Sequence, residues 1–118
     1  MNASALFEQY WPILLVALWF GYKWWNARRV VGMLPQLRAS GATLVDVRTP
    51  DEFAAGNAPG SVNIPLHELG SRLNEIPASA PVVVCCASGT RSGMARLKLK
   101  KNGYPQVFNI GKWTNLLR

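Results

Sequence analysis

The stretch Val82-Val83-Val84-Cys85-Cys86-Ala87-Ser88-Gly89-Thr90-Arg91-Ser92 carries the residues best suited to chemistry. A short apolar run bounded by turn residues reads as a buried strand of a parallel sheet. Five small, polar or basic residues follow it, and then a segment that reads as a helix, Ser92 to Asn102. That order sets the Cys86 side chain over a ring of backbone N–H groups, near the positive end of a helix dipole. Both effects favour thiolate over thiol, and the thiolate is the nucleophile. An isolated cysteine at a strand end more often just packs. Gly89, Thr90 and Arg91 shift Cys86 away from that reading. Side chains alternate along a strand, so Cys85 faces the other way, into the core.

The remaining elements have to position that sulfur. Thr43–Val47, Ser61–Ile64, Pro81–Cys85 and Gln106–Ile110 read as strands. Helical segments fall at Pro50–Ala55, His67–Asn74 and Ser92–Asn102, with a final turn over Trp113–Arg118. Thr49-Pro50-Asp51-Glu52 is a helix start: a Thr N-cap, Pro at the first position and Glu closing a capping box. Strands alternating with helices predict an α/β fold with a mostly parallel sheet.

Composition adds a second feature. Net charge is +7, and because Glu8 and Lys23 cancel within residues 1–25, all of it falls in residues 26–118. No recognition-helix, zinc or aromatic-platform pattern accompanies it, so no nucleic-acid partner is expected. Two adjacent cysteines do not make a disulfide framework, and they suit a reducing compartment. Leu6 to Trp25 is apolar, and Tyr10 to Tyr22 carries no charge. As a helix this stretch is about 30 Å long, the thickness of the hydrocarbon layer. Trp11 at one end and Tyr22, Trp24 and Trp25 at the other match interfacial aromatic belts. A buried or interfacial helix remains the alternative to a span. Lys23, Arg28 and Arg29 follow the apolar core, which predicts an outside N-terminus and a domain in the cytoplasm, at the inner (plasma) membrane. Arg28 and Arg29 are also placed to meet lipid phosphates. The expected organisation is an anchor over residues 1–25 (helix about 6–25), a basic juxtamembrane linker over 26–29 and a domain over 30–118. Asn26–Ser40 reads as linker running into a helix that Pro35 interrupts and Gly41 ends.

The soluble part resembles the rhodanese-domain family of sulfurtransferases. Three ordered stretches carry the resemblance: Asp46–Phe53, Gly56–Pro65 and Cys86–Ser92, with Gly103-Tyr104 and Val107–Gly111 resembling the closing strand. The resemblance implies a persulfide on Cys86, loaded from a donor such as thiosulfate and discharged to a thiol or cyanide acceptor. It implies a donor cradle formed by Ala87, Ser88, Gly89, Thr90 and Arg91, and no cofactor or metal. A membrane or sulfur-relay protein partner fits a tethered version. Related phosphatases use a Cys-x5-Arg loop, whereas Cys86-x4-Arg91 is one residue shorter and suits a sulfur atom better than phosphate.

There are departures from the family pattern. Asn57 stands where His is common, Ala87 where many thiosulfate users carry a basic residue, and Gly111-Lys112 where a second Gly is usual. Arg48 and Glu52 are expected to pair with each other, and Asp46 to order the neighbouring loop. His67 is expected on the surface. Two other functions stay open: a non-enzymatic, membrane-tethered binding module, and a phosphatase or arsenate-reductase-like enzyme.

Overall fold

The computed structural model describes residues 2–118. One long helix, α1 (Ala3–Ala39), leads into a four-stranded sheet. The strands are β1 (Thr43–Asp46), β2 (Ser61–Asn63), β3 (Val82–Cys86) and β4 (Val107–Lys112). They are parallel and lie in the order β2-β1-β3-β4. Helix α2 (Pro50–Ala55) follows β1 and α3 (Thr90–Lys101) follows β3, as parallel pairing requires a crossover. Short 3-10 segments fill the rest: Leu66–Ser71, Leu73–Glu75 and Trp113–Leu117.

β3 is buried along its whole length, which explains its unbroken Val-Val-Val-Cys-Cys run. Alternation then divides the core. Val82, Val84 and Cys86 face a cluster containing Val45, Ile64, Leu69, Ala95, Leu99 and Tyr104. Val83 and Cys85 face Leu44, Ile110, Leu116 and three residues of α1: Val30, Leu34 and Leu37. The two cysteines therefore occupy opposite faces of the sheet.

Three local expectations are corrected. Pro35 does not interrupt the first helix, and residues 26–29 are helical rather than a linker. Burial of Val30, Leu34 and Leu37 on the sheet outweighs the one hydrogen bond that Pro35 cannot donate. The His67–Asn74 segment is 3-10 rather than α. Its bonds run three residues back, with the Glu68 N–H donating to the Pro65 carbonyl at 2.9 Å. Only Leu69 of the Leu66–Ser71 segment is buried, so no apolar stripe holds a full α-helix there. Finally, α3 begins at Thr90, two residues ahead of the expected start, so Arg91 belongs to the helix and not to the loop.

The N-terminal part of α1 stands clear of the domain, and its Leu, Ile, Val, Phe and Trp side chains are exposed. It is long and apolar enough to cross a membrane. The domain hangs from its C-terminal third, where Asn26 Nδ2 donates to the Asn109 carbonyl at 3.0 Å and Arg38 donates to the Leu116 carbonyl at 2.7 Å.

Candidate functional site

Cys86 closes β3 and the chain turns at once. Gly89 makes the turn with φ +99°, a conformation that side chains disfavour, and it caps the start of α3. A side chain there would also meet the Gly111 Cα at 3.2 Å. The turn aims the Gly89 N–H back at the Cys86 Sγ, 2.9 Å away. One helical turn on, the Ser92 hydroxyl lies 3.3 Å from the same sulfur.

β4 braces this arrangement. Val84 pairs in register with Asn109, which puts Asn109 on the Cys86 face of the sheet, and a register shift just beyond it pairs Cys85 with Gly111. Asn109 is thereby brought beside the loop. Its Nδ2 donates to the Gly89 carbonyl at 3.1 Å, and its Oδ1 accepts from Ser92 Oγ at 2.7 Å and from the Gly111 N–H at 3.0 Å. Ser92 has one proton and two acceptors. It can give that proton to Asn109 while Cys86 is a thiol, and to the sulfur once the thiolate forms.

The electrostatics follow. Burial pushes the Cys86 thiol up, but the Ser92 hydroxyl and the backbone N–H groups of Ser92, Ser88 and Gly89 prevail, and its pKa is lowered. Cys85 lacks such donors, and burial pushes its thiol far up. One cysteine is built to ionise and its neighbour to stay neutral. Ser92→Ala is expected to move the inflection of the Cys86 alkylation rate upward, because the side-chain donor that lowers the thiol pKa is lost. A pH–rate profile with iodoacetamide in the Cys85→Ala background reads this directly. An unmoved inflection would assign the shift to the amides alone.

Arg91, in the first turn of α3, pairs with Glu52 through two bonds of 2.6 and 3.0 Å. Glu52 closes the capping box of α2, accepting the Thr49 N–H at 3.0 Å. The Arg91 guanidinium and then the Thr49 N–H hold its carboxyl down at about 2. The expected Arg48–Glu52 pair is corrected here. Arg48 turns inward to Asp46, with its Nη2 2.7 Å from Oδ2, and of Glu52 it meets the backbone carbonyl, at 3.2 Å, rather than the carboxylate. Asp46 also accepts the Arg48 N–H at 3.0 Å, which orders the strand end.

Ala87, Ser88 and Thr90 are exposed at the rim of the loop. Asn57 is not brought to the site; it donates to the Phe53 carbonyl at 2.9 Å behind α2. His67 lies on the surface beside Glu68. Ser92 and Asn109 are the site residues that the sequence reading missed. An Asn within a strand otherwise rich in Val, Phe and Ile was the available signal, because Asn is depleted from strands unless it bonds locally.

A family model described as Rhodanese-like domain matches residues 31–113. A sulfurtransferase of Allochromatium vinosum is 43% identical over 67 residues, covering 57% of this chain and 63% of that protein. Thiosulfate sulfurtransferase GlpE of Ectopseudomonas mendocina is 33% identical over 75 residues, covering 64% of this chain and 69% of its own. The structure of the human single-domain sulfurtransferase TSTD1 superposes with a TM-score of 0.61 at 35% identity, covering 73% of this chain and 90% of that one. Curated relatives can thus extend well beyond the matched region: the chain spans less than two thirds of the Allochromatium protein.

Proposed function

Because this chain belongs to the rhodanese-like domain family, we propose that it is a membrane-anchored sulfurtransferase working through a persulfide on Cys86. The observation that carries the reading is the pair of donors on one sulfur, the Gly89 N–H at 2.9 Å and the Ser92 hydroxyl at 3.3 Å. Sulfurtransferase relatives support the reaction class.

The reaction divides into two displacements. The Cys86 thiolate attacks the outer sulfur of thiosulfate. A sulfur–sulfur bond forms to Sγ, the bond to the sulfonate sulfur breaks, and sulfite leaves with the electron pair. The persulfide anion on Cys86 carries one charge, so charge balances. Cyanide or a thiolate then attacks the outer persulfide sulfur, and the Cys86 thiolate leaves. The Gly89 N–H and the Ser92 hydroxyl, held beside that sulfur, stabilise the anion in both directions. Ala87, Ser88, Gly89, Thr90 and Arg91 form the cradle for the incoming donor, with Arg91 held in place by Glu52.

The apolar helix 6–25 acts as a single-pass anchor in the inner membrane. Its basic C-terminal flank keeps the 30–118 domain on the cytoplasmic side. A tether of this kind suits hand-over of sulfur to a membrane or sulfur-relay protein. The deciding experiment is intact-mass measurement of purified protein after thiosulfate. An adduct of about 32 Da, one sulfur atom, removed by cyanide or dithiothreitol, is the expected result. No adduct from thiosulfate or from other sulfane donors would sink the proposal.

A further inference from the structure

α1 does more than lead into the domain; it reaches the rim of the Cys86 loop. Lys23 Nζ lies 3.5 Å from Thr90 Oγ1, and a Cβ built on Gly89 would come within 3.7 Å of the same ammonium. A cleft opens between this part of α1 and the loop, lined on the loop side by Ser88, Gly89 and Thr90. Six basic side chains line it, Lys23, Arg28, Arg29, Arg96, Lys112 and Arg118, and among the described residues no Asp or Glu does. Trp19 forms part of its apolar wall, with Lys23 Nζ 4.4 Å from the ring centroid.

The loop itself is short of free positive charge. Ala87 offers a methyl group, and the Arg91 guanidinium is taken by Glu52. Lys23 is in no ion pair among the described residues. Its ammonium is therefore an uncompensated cation in contact with the loop rim. A dianion entering the cleft would meet that charge beside a wall of protein, where screening is weaker than in open water.

We propose that Lys23, carried by the membrane helix, completes a dianion subsite over the Cys86 loop and binds the sulfonate end of a thiosulfate-class donor. The choice of donor rests on the sulfur-transfer reading; the binding of a dianion does not. The anchor then has a second role, supplying the cation that Ala87 cannot.

The test uses the full chain in zwitterionic nanodiscs, carrying Cys86→Ser so that no sulfur is loaded. Thiosulfate is titrated calorimetrically at low ionic strength. Lys23→Gln should weaken binding roughly tenfold and Lys23→Arg by no more than about twofold. Lys98→Gln removes the same charge outside the cleft and should leave affinity unchanged. With Cys86 restored, Lys23→Gln should raise KM for thiosulfate without a matching fall in kcat. Equal affinity of Lys23→Gln and its parent overturns the proposal, as does a parent that binds no thiosulfate. A loss confined to association with anionic-lipid vesicles overturns it too, by assigning Lys23 to phosphate headgroups. Lys23-dependent thiosulfate binding in a protein that forms no Cys86 adduct keeps the subsite and removes the sulfur-transfer reading.

Discussion

Cys86→Ser in the full chain is expected to lower sulfane-sulfur transfer by at least about 10³-fold while leaving the fold intact. Oxygen replaces sulfur in nearly the same volume, so the core loses little. The donors at the site remain, but they now surround a hydroxyl that stays protonated at any working pH. No sulfur–sulfur bond can form to it, so loading stops at the first displacement and the adduct of about 32 Da disappears. Cys85 cannot substitute. It sits on the opposite face of the sheet, and burial keeps its thiol neutral. Cys85→Ala should therefore load nearly as well as the wild type. Transfer rates with thiosulfate and cyanide, measured beside the intact masses of both variants, check the pair. Substantial turnover by Cys86→Ser would move the chemistry to another group.

Much of this site was legible because its main signals are local. A buried strand ending in Cys, then a loop of small residues, then a helix already orients one sulfur toward a ring of amides. The capping box at Thr49 and Glu52 was legible for the same reason, since both bonds span three residues. What escaped depended on distant pairing. Ser92 reaches the sulfur because α3 starts at Thr90, and Asn109 reaches Ser92 because β4 pairs with β3 in the register that sets Asn109 opposite Val84. No spacing rule within one strand announces the register between two.

Pro35 taught the opposite lesson. A strong local rule for breaking helices gave way to packing against a sheet whose strands lie further along the chain. The exchange of partners among Arg48, Glu52, Asp46 and Arg91 is similar. Sequence spacing makes Arg48 and Glu52 neighbours on one turn. Burial decides otherwise, since a carboxylate in the core has first claim on the nearest guanidinium.

That buried pair predicts the largest loss of stability. Asp46 is fully buried and Arg48 nearly so. Three guanidinium contacts of 2.7 to 3.0 Å join them. Arg48 also donates to the Gly56 carbonyl at 2.7 Å and stacks over Trp113 with its carbon 4.7 Å from the ring centroid. Through these bonds it ties β1 to the end of α2 and to the C-terminal 3-10 turn. Removing the carboxylate leaves a guanidinium shut away from water with only carbonyl partners, at a cost of about 3–5 kcal/mol. Asp46→Ala should therefore unfold far more readily than the wild type. Cys85 supplies the reporter, because its thiol reacts with a bulky reagent only when the sheet opens. In a Cys86→Ser background, native-state labelling of Cys85 should accelerate by roughly 10²- to 5 × 10³-fold on Asp46→Ala. Adding Arg48→Met should slow it again, because an apolar side chain needs no counter-charge. A double variant as labile as Asp46→Ala alone would mean that the Asp46 hydrogen bonds to the strand end, and not the stranded charge, hold that region together.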